Sequence, residues 1–195
     1  IGINGSPRND GNTNAALEVM KAEFEKNNIE FEIIQVGREA IRGCINCNYC
    51  SKSEGNRCMF KNDLVNDVTE KMRNADGFVL ASPTYYAGIA GGMKSFLDRS
   101  FFSSAAGGGY FRNKVCSAMA VVRRAGGVDV VHQLNNFLHL AEVIIAPTQY
   151  WNIGYGLDKE QVHGDAEGMQ TIRRNAQGMI WILKMQEATK DTVPV

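Results

Sequence analysis

The chain has 195 residues, enough for one domain with a sizeable core. Hydrophobic residues make up 44% and charged residues 22%, and a formal net charge of zero gives no electrostatic reason to expect nucleic acid or an anionic membrane as partner. No apolar run approaches the roughly 18 residues of a membrane span, there is no signal-peptide pattern, and the five cysteines do not form a secreted disulfide framework, so the expected location is the cytoplasm.

The chain opens on a short apolar strand, Ile1-Gly2-Ile3-Asn4, and since no Met precedes it the strand is expected to have lost a few residues of the natural start. The loop Gly5-Ser6-Pro7-Arg8-Asn9-Asp10-Gly11-Asn12-Thr13 follows, and then an amphipathic helix with Leu17, Met20 and Phe24 on one face. A second strand runs from Ile29 to Val36, alternating Ile29, Phe31 and Ile33 with Glu30 and Glu32. A cysteine-rich loop occupies 42–60, and Leu64, Val68 and Met72 then mark a helix capped by Asn62 or Asp63. Gly77 to Ala81 reads as a strand buried on both faces of a parallel sheet. The stretch Ser82-Pro83-Thr84-Tyr85-Tyr86-Ala87-Gly88 follows, and then a helix with Met93, Phe96 and Leu97. Residues 101–113 read as a loop with three glycines at 107–109, either disordered or a flap over the site. Val115 to Val122 is the fourth strand, turned by Arg123-Arg124-Ala125-Gly126-Gly127 into a helix at about 128–141; a fifth strand starts at Val143. Met169, Ile172, Ala176, Met179 and Leu183 mark a last helix.

Strands alternating with helices imply a single α/β domain over 1–195, a doubly wound three-layer sandwich around a five-stranded parallel sheet. Ligands of such sheets sit at the carboxyl ends of the strands. The loops after the first, third and fourth strands therefore share one edge. A small-residue loop entering a helix is an anion site, since free N–H groups and the positive helix end point at it. Ser6, Asn12 and Thr13 add donors there and Arg8 a charge. Asn12 stands where a Walker loop has Lys, and no G-x-G-x-x-G fingerprint occurs, so one terminal phosphate fits better than a triphosphate or a dinucleotide. The tyrosine loop offers an aromatic face and the arginine–glycine loop offers backbone donors, which together suit a planar heterocycle.

The stretches I-N-G-S-P-R-x-x-G-N-T, A-S-P-T-Y-Y-A-G, K-S-F-L-D-R and G-M-Q-T resemble those of the flavodoxin-like NAD(P)H-dependent FMN reductases, most closely their iron–sulfur flavoprotein branch. The resemblance covers nearly the whole length. It implies Ser6, Arg8, Asn12 and Thr13 on the FMN phosphate, and Pro83, Thr84, Tyr85, Tyr86 and Gly88 beside the ring and ribityl chain. Arg124, Ala125, Gly126 and Gly127 would face the pyrimidine edge. The implied activity is an FMN-dependent oxidoreductase that takes hydride from NAD(P)H and reduces free flavin, a quinone, a nitro compound or a protein. The alternatives are an electron carrier fed by ferredoxin, against which the zero net charge argues because flavodoxins are acidic, and a non-catalytic FMN-binding redox sensor. A homodimer or homotetramer is also implied, and Phe101, Phe102, Tyr110 and Phe111 around the glycines are candidate interface.

Cys44-x2-Cys47-x2-Cys50-x7-Cys58 lies where the iron–sulfur branch carries its cluster ligands. Four thiolates on one short loop suit a [4Fe–4S] cluster better than zinc, whose structural sites pair two separated knuckles. Arg42, Lys52 and Arg57 would offset its charge. A metal-free thiol loop remains the other reading. Cys116 reads as a small buried hydrophobe, His132, His139 and His163 as structural, and Asp98-Arg99 as an ion pair.

Overall fold

The computed structural model describes residues 1–192. Its strands are β1 (Gly2–Asn4), β2 (Ile33–Gln35), β3 (Gly77–Tyr85), β4 (Gly88–Ile89), β5 (Val115–Val122), β6 (Ile144–Ile145) and β7 (Ile153–Tyr155). Its helices are α1 (Asn12–Glu25), α2 (Val65–Asn74), α3 (Gly91–Ala106), α4 (Gly127–Leu140) and α5 (Ala166–Thr189). The parallel sheet runs β2-β1-β3-β5-β6, so the strand order reverses beside β1. Two short strands lie off this path: β4 folds back antiparallel on the end of β3, and β7 extends the sheet parallel to the end of β5.

The central strands explain themselves. Every residue of β5 is buried, as are the first six of β3, and both are short-branched and apolar, as a strand covered on two faces requires. On one face α1 and α5 bring Leu17, Met20 and Phe24 against Met169, Ile172, Ala176 and Met179. On the other, α2, α3 and α4 supply Val68, Met72, Met93, Phe96, Leu97, Leu134 and Leu138. No helix among the described residues is long and apolar enough to cross a membrane.

Four expectations are corrected. Regular pairing in the second strand is confined to Ile33–Gln35, and Phe31 instead packs its ring on Phe24 at 4.9 Å between centroids. The stretch 101–106 is helix: α3 continues to Ala106 and ends on Gly107, with Gly108 and Gly109 at φ +83° and +82° and the Gly109 N–H donating to the Ser104 carbonyl, the left-handed termination that only glycine adopts without strain. The glycines are therefore no flap. α3 starts at the carboxyl edge of the sheet, and sixteen residues at 1.5 Å each carry its end about 24 Å away. The aromatic cluster is mostly core, since Phe101 and Phe111 are buried against Phe78 and only Phe102 is exposed.

The fifth strand is split between β6 and β7 by residues 146–152. Buried Asn175 staples the gap: its Oδ1 accepts from Ser117 Oγ at 2.6 Å and Asn152 Nδ2 at 3.1 Å, and its Nδ2 donates to the carbonyls of Ala146 and Pro147.

Candidate functional site

The loop after β1 is held by its own polar atoms. Asn4 Oδ1 accepts from Ser6 N at 2.9 Å, and Ser6 Oγ accepts from Arg8 N at 3.1 Å. A Cβ on Gly11 would meet Arg8 Cβ at 3.1 Å and Ser6 Oγ at 3.4 Å, so the loop curls back onto the start of α1. That start is open: Gly11 offers no side-chain cap and no acid lies in the first turn. The first N–H groups of α1 are left without partners of the usual kind, which is the condition for binding an anion. Thr13 is buried there, and Arg8 is exposed beside it.

Asn12 is a correction of role. Its side chain is committed elsewhere, because Nδ2 donates to the Asp158 carbonyl at 2.8 Å and Oδ1 accepts from Val162 N at 3.2 Å. What Asn12 has left to offer an anion is its backbone N–H and the second N–H of Nδ2. The segment it holds, the loop after β7, is a fourth wall that sequence reasoning missed. A Cβ on Gly156 would meet Asn12 Nδ2 at 2.8 Å, and Lys159 pairs with Asp10 at 2.6 Å, holding the Asp10 carboxyl below its usual range. Its signal was the pair Gly154 and Gly156 flanking Tyr155, where β7 ends.

Pro83, Thr84 and Tyr85 close β3, and Gly88 opens β4. Between the paired residues Tyr85 and Gly88 stand Tyr86 and Ala87, both in the left-handed region at φ +50° and +58°. A two-residue hairpin demands this conformation and normally gives it to Asn-Gly. Here it turns the Tyr86 side chain fully into solvent. Gln133 of α4 grips the turn, accepting from Ile89 N and donating to the Ala87 carbonyl at 3.2 Å. The Thr84 hydroxyl is buried with no hydrogen-bond partner. The third loop reaches the same place: Gly126, at φ +85°, would put a Cβ 3.0 Å from Ala87 Cα and 3.2 Å from Thr84 Cγ2. Arg124 and Ala125 are exposed, and Gly127 begins α4.

Three of the expected stretches therefore meet at one edge. β1 pairs with β3, Gly5 N donates to the Ala81 carbonyl at 2.8 Å, and Gly126 touches the hairpin. The loop after β2 closes it from beside β1, with Gln35 Nε2 donating to the Ser6 carbonyl at 2.7 Å and Gly37 lying against the Gly5 backbone.

The family model for the NADPH-dependent FMN reductases matches residues 1–158. The chain belongs to this family. An iron–sulfur flavoprotein of Methanocaldococcus jannaschii is 33% identical over 95% of this chain and 97% of its own, and one from Archaeoglobus fulgidus is 29% identical over 96% and 98%. Among solved structures, RosB, with a bound 8-demethyl-8-formylriboflavin-5'-phosphate intermediate, superposes with a TM-score of 0.72 at 18% identity, covering 98% of this chain and 81% of that one. An apo NADH:FMN oxidoreductase gives 0.65 at 18% identity over 93% and 87%. The fold is flavodoxin-like, and the protein is an FMN-dependent oxidoreductase of this reductase family, in the branch of the iron–sulfur flavoproteins. An uncapped helix start, a buried unpartnered Thr84 hydroxyl and glycines whose Cβ would fill the edge fit FMN.

The cysteine loop is built differently. Asn46 and Asn48 adopt φ +52° and +55°, a conformation asparagine tolerates, and the chain curls there. Cys44, Cys47, Cys50 and Cys58 then line one cavity of about 20 Å³ with Phe60, Arg99 and Phe102. Cys44 and Cys47 are exposed on irregular chain at its mouth, and Cys50 is buried. Burial, and then the neighbouring Cys58, Cys44 and Cys47 thiols, push the Cys50 thiol up. Among the described residues no three His, Cys, Asp or Glu side chains form a set for a single metal ion. Four soft thiol donors lining one void are the donor chemistry that iron–sulfur clusters use.

The charges expected near the loop have partners of their own or face solvent. Arg57 pairs with Asp67 at 2.8 Å, Arg42 lies over the Phe60 ring, and Lys52 is exposed. Asp98 and Arg99 do not pair with each other: Asp98 holds Lys94, and Arg99 holds Asp63. Burial opposes the Arg99 charge, but Asp63 and Cys58 outweigh it and raise its pKa. His132, His139 and His163 are exposed. Cys116 is buried in β5, and burial pushes its thiol up to about 12.

Proposed function

We propose that this oxidoreductase works with two redox centres, FMN on the carboxyl edge of the sheet and a [4Fe–4S] cluster on Cys44, Cys47, Cys50 and Cys58. The observation that carries the flavin assignment is the uncapped start of α1 beneath the closed Ser6–Gly11 loop. The phosphate is held by the N–H groups of Asn12 and Thr13, the hydroxyls of Ser6 and Thr13, and Arg8. Thr84 and Tyr85 flank the ring and ribityl chain with Pro83 and Gly88, Tyr86 stands at the open mouth, and the Arg124–Gly127 turn presents N–H groups to the pyrimidine edge. When bound, FMN supplies the two-electron chemistry that joins a nicotinamide donor to one-electron partners. The protein's part is to hold it: the donors are fixed by backbone and glycine contacts before any ligand arrives, so little ordering cost remains.

The cluster assignment rests on the four cysteines lining one cavity and on the similarity to iron–sulfur flavoproteins. A cluster ligand must be a thiolate, so loading releases protons and weakens as pH falls. One helix serves both sites. Gly92 at the start of α3 lies against Gly37 behind the phosphate loop, and Arg99 reaches Cys58 about 10 Å further along. The electron partner is a redox protein or a small acceptor. Exposed Ile144 and Ile145 on edge strand β6, with exposed Leu140, are the surface on which we place a homo-oligomer contact.

Adding NADH, NADPH or reduced ferredoxin in turn to the anaerobic holoprotein tests the reading. Bleaching of flavin absorbance by a nicotinamide or by ferredoxin identifies the donor. No bleaching by any of the three contradicts an oxidoreductase role for the bound flavin.

A further inference from the structure

Among the described residues Arg99 is the largest fully buried side chain, and it is charged. It sits on the inward stripe of α3 formed by Gly92, Phe96, Arg99 and Ser103, at helical spacing. A guanidinium has five N–H donors in a fixed fork. Each of the five has an acceptor. Nη1 donates to Asp63 Oδ2 at 2.5 Å and the Arg42 carbonyl at 3.2 Å; Nη2 donates to Asp63 Oδ1 at 3.0 Å and the Phe60 carbonyl at 3.2 Å. Nε, the fifth, donates to Cys58 Sγ at 3.2 Å. The Phe60 ring stacks on the guanidinium at 5.1 Å.

Cys58 is fixed from the other side as well. Asn66 Oδ1 accepts from Cys58 N at 2.7 Å, and Asn66 Nδ2 donates to the carbonyls of Cys58 and Phe60 at 3.1 and 2.9 Å. Of the four thiols, this one alone has both its backbone and its sulfur held by side chains of the helices. A clamp that only tied the loop to α3 could end at Asp63 and the two carbonyls. The remaining donor points instead at sulfur.

We propose that Arg99 is a positioning residue that sets the reduction potential of the cluster through the Nε–H···Sγ bond to Cys58. Reduction adds one electron, and so one negative charge, to an assembly of iron, sulfide and thiolates. A donor on a ligand sulfur and a buried cation beside it both stabilise that added charge, and hydrogen bonds to sulfur are among the recognised determinants of such potentials. Asp63 acts in the opposite sense, because its carboxylate neutralises part of the cation. The pair is thus a setting with two handles, Arg99 raising the potential and Asp63 holding it down. This inference rests on the cluster reading given above.

The experiment is an anaerobic redox titration of the full-length holoprotein, the cluster followed by electron paramagnetic resonance and the flavin by absorbance. Wild type is compared with Arg99→Lys, which keeps a positive charge but loses the Nε donor, and with Asp63→Asn, which keeps the shape but frees the cation. The expected result is opposite shifts. Arg99→Lys moves the cluster's reduction equilibrium at least tenfold towards the oxidised form, 59 mV for one electron, and Asp63→Asn moves it towards the reduced form. The flavin potential stays put in both. A merely structural clamp predicts instead that both variants loosen the loop and shift the cluster the same way or not at all, which would overturn the proposal. If Arg99→Lys assembles no cluster, Asp63→Asn decides alone: a raised potential supports the proposal, and an unchanged or lowered one removes it. Wild-type protein that contains FMN but no iron or sulfide would overturn the cluster reading and this inference with it; a loaded wild type with unmoved variants overturns only the inference.

Discussion

The phosphate loop and the cysteine loop are both irregular chain after a short strand, yet they are held in opposite ways. Residues 5–13 are anchored at every step: Gly5 to β3, Ser6 to Asn4 and Gln35, Gly11 against Arg8 and Ser6, and Asn12 to the loop after β7. Residues 44–58 are anchored unevenly: Asn66 and Arg99 hold Cys58, Ser103 and the Ala106 carbonyl of α3 hold Asn56, and Cys50 is buried, while Cys44 and Cys47 stand exposed. The first site is formed before its ligand. The second has fixed Cys58 and buried Cys50, and leaves Cys44 and Cys47 to be ordered by what they bind, as metal sites coupled to local folding are. Hence the flavin edge should tolerate loss of the cluster, and the cysteine loop should gain protection from proteolysis when loaded.

The largest expected effect breaks one side of that contrast. Cys47→Ala removes one of the four thiolates, and the Met59 thioether 3.3 Å away carries no charge to replace it, so the anaerobically produced variant should lose its iron and broad visible absorption while retaining FMN with unchanged affinity. Flavin lost together with the iron would mean the two regions are not independent.

Gly37→Ala tests the other side. A Cβ at position 37 runs into the Gly5 backbone, which cannot yield as a side-chain end could. Displacing the loop should weaken FMN binding by at least as much as Arg8→Ala does. For Arg8→Ala the expected loss is about 1.5–3 kcal/mol, roughly 10–150-fold in Kd by flavin fluorescence quenching, the range for a charged hydrogen bond. If both variants retain wild-type Kd, the phosphate lies elsewhere.

Among the thiols, Cys116 supplies the reference for the loop. Its folded value of about 12 lies above the 9.0 of a free thiol, so an unfolded chain ionises while the folded one stays neutral. That contribution to stability is intact below pH 9 and is lost as pH rises towards 12, at no more than about 1.4 kcal/mol per unit. Urea midpoints at pH 8 and 10.5 should fall less in Cys116→Val than in wild type. In the native apoprotein an alkylating reagent at pH 8 should modify Cys44 and Cys47 and leave Cys116 unlabelled.

The smallest effect refines the flavin edge. Ala87 is held at φ +58° for the sake of the hairpin, and Ala87→Gly relieves that strain. A gain of about 0.5–1 kcal/mol in urea denaturation is expected, with FMN affinity unchanged or lower because the turn becomes looser. Loss of stability would show that the Ala87 methyl, packed near Gly126, matters more than the backbone.

What the sequence made legible followed from local rules. Apolar runs at 77–81 and 115–122 fix the central strands, and small-residue loops after them mark the flavin edge, because both signals lie within a few consecutive residues. What stayed hidden depends on distant partners. Asn12 looks like a phosphate ligand until Asp158 and Val162 are seen to occupy its amide. Arg99 looks like half of an Asp-Arg pair until Asp63, 36 residues away, is seen to hold it. A helical face with Phe96 and Ser103 was the available signal that this arginine points inward. Phe101 and Phe111 gave the opposite error, since aromatics beside glycines read as exposed when the helix that buries them had been ended too soon.

The central claim, two redox centres on one chain held in these two ways, is tested most directly by one analysis of protein made and kept without oxygen. FMN, iron and acid-labile sulfide are measured per chain, in wild type and in Cys47→Ala. The account predicts one FMN with four iron and four sulfide in the wild type, and one FMN with the iron and sulfide gone in the variant. One FMN with no iron or sulfide in the wild type would contradict it.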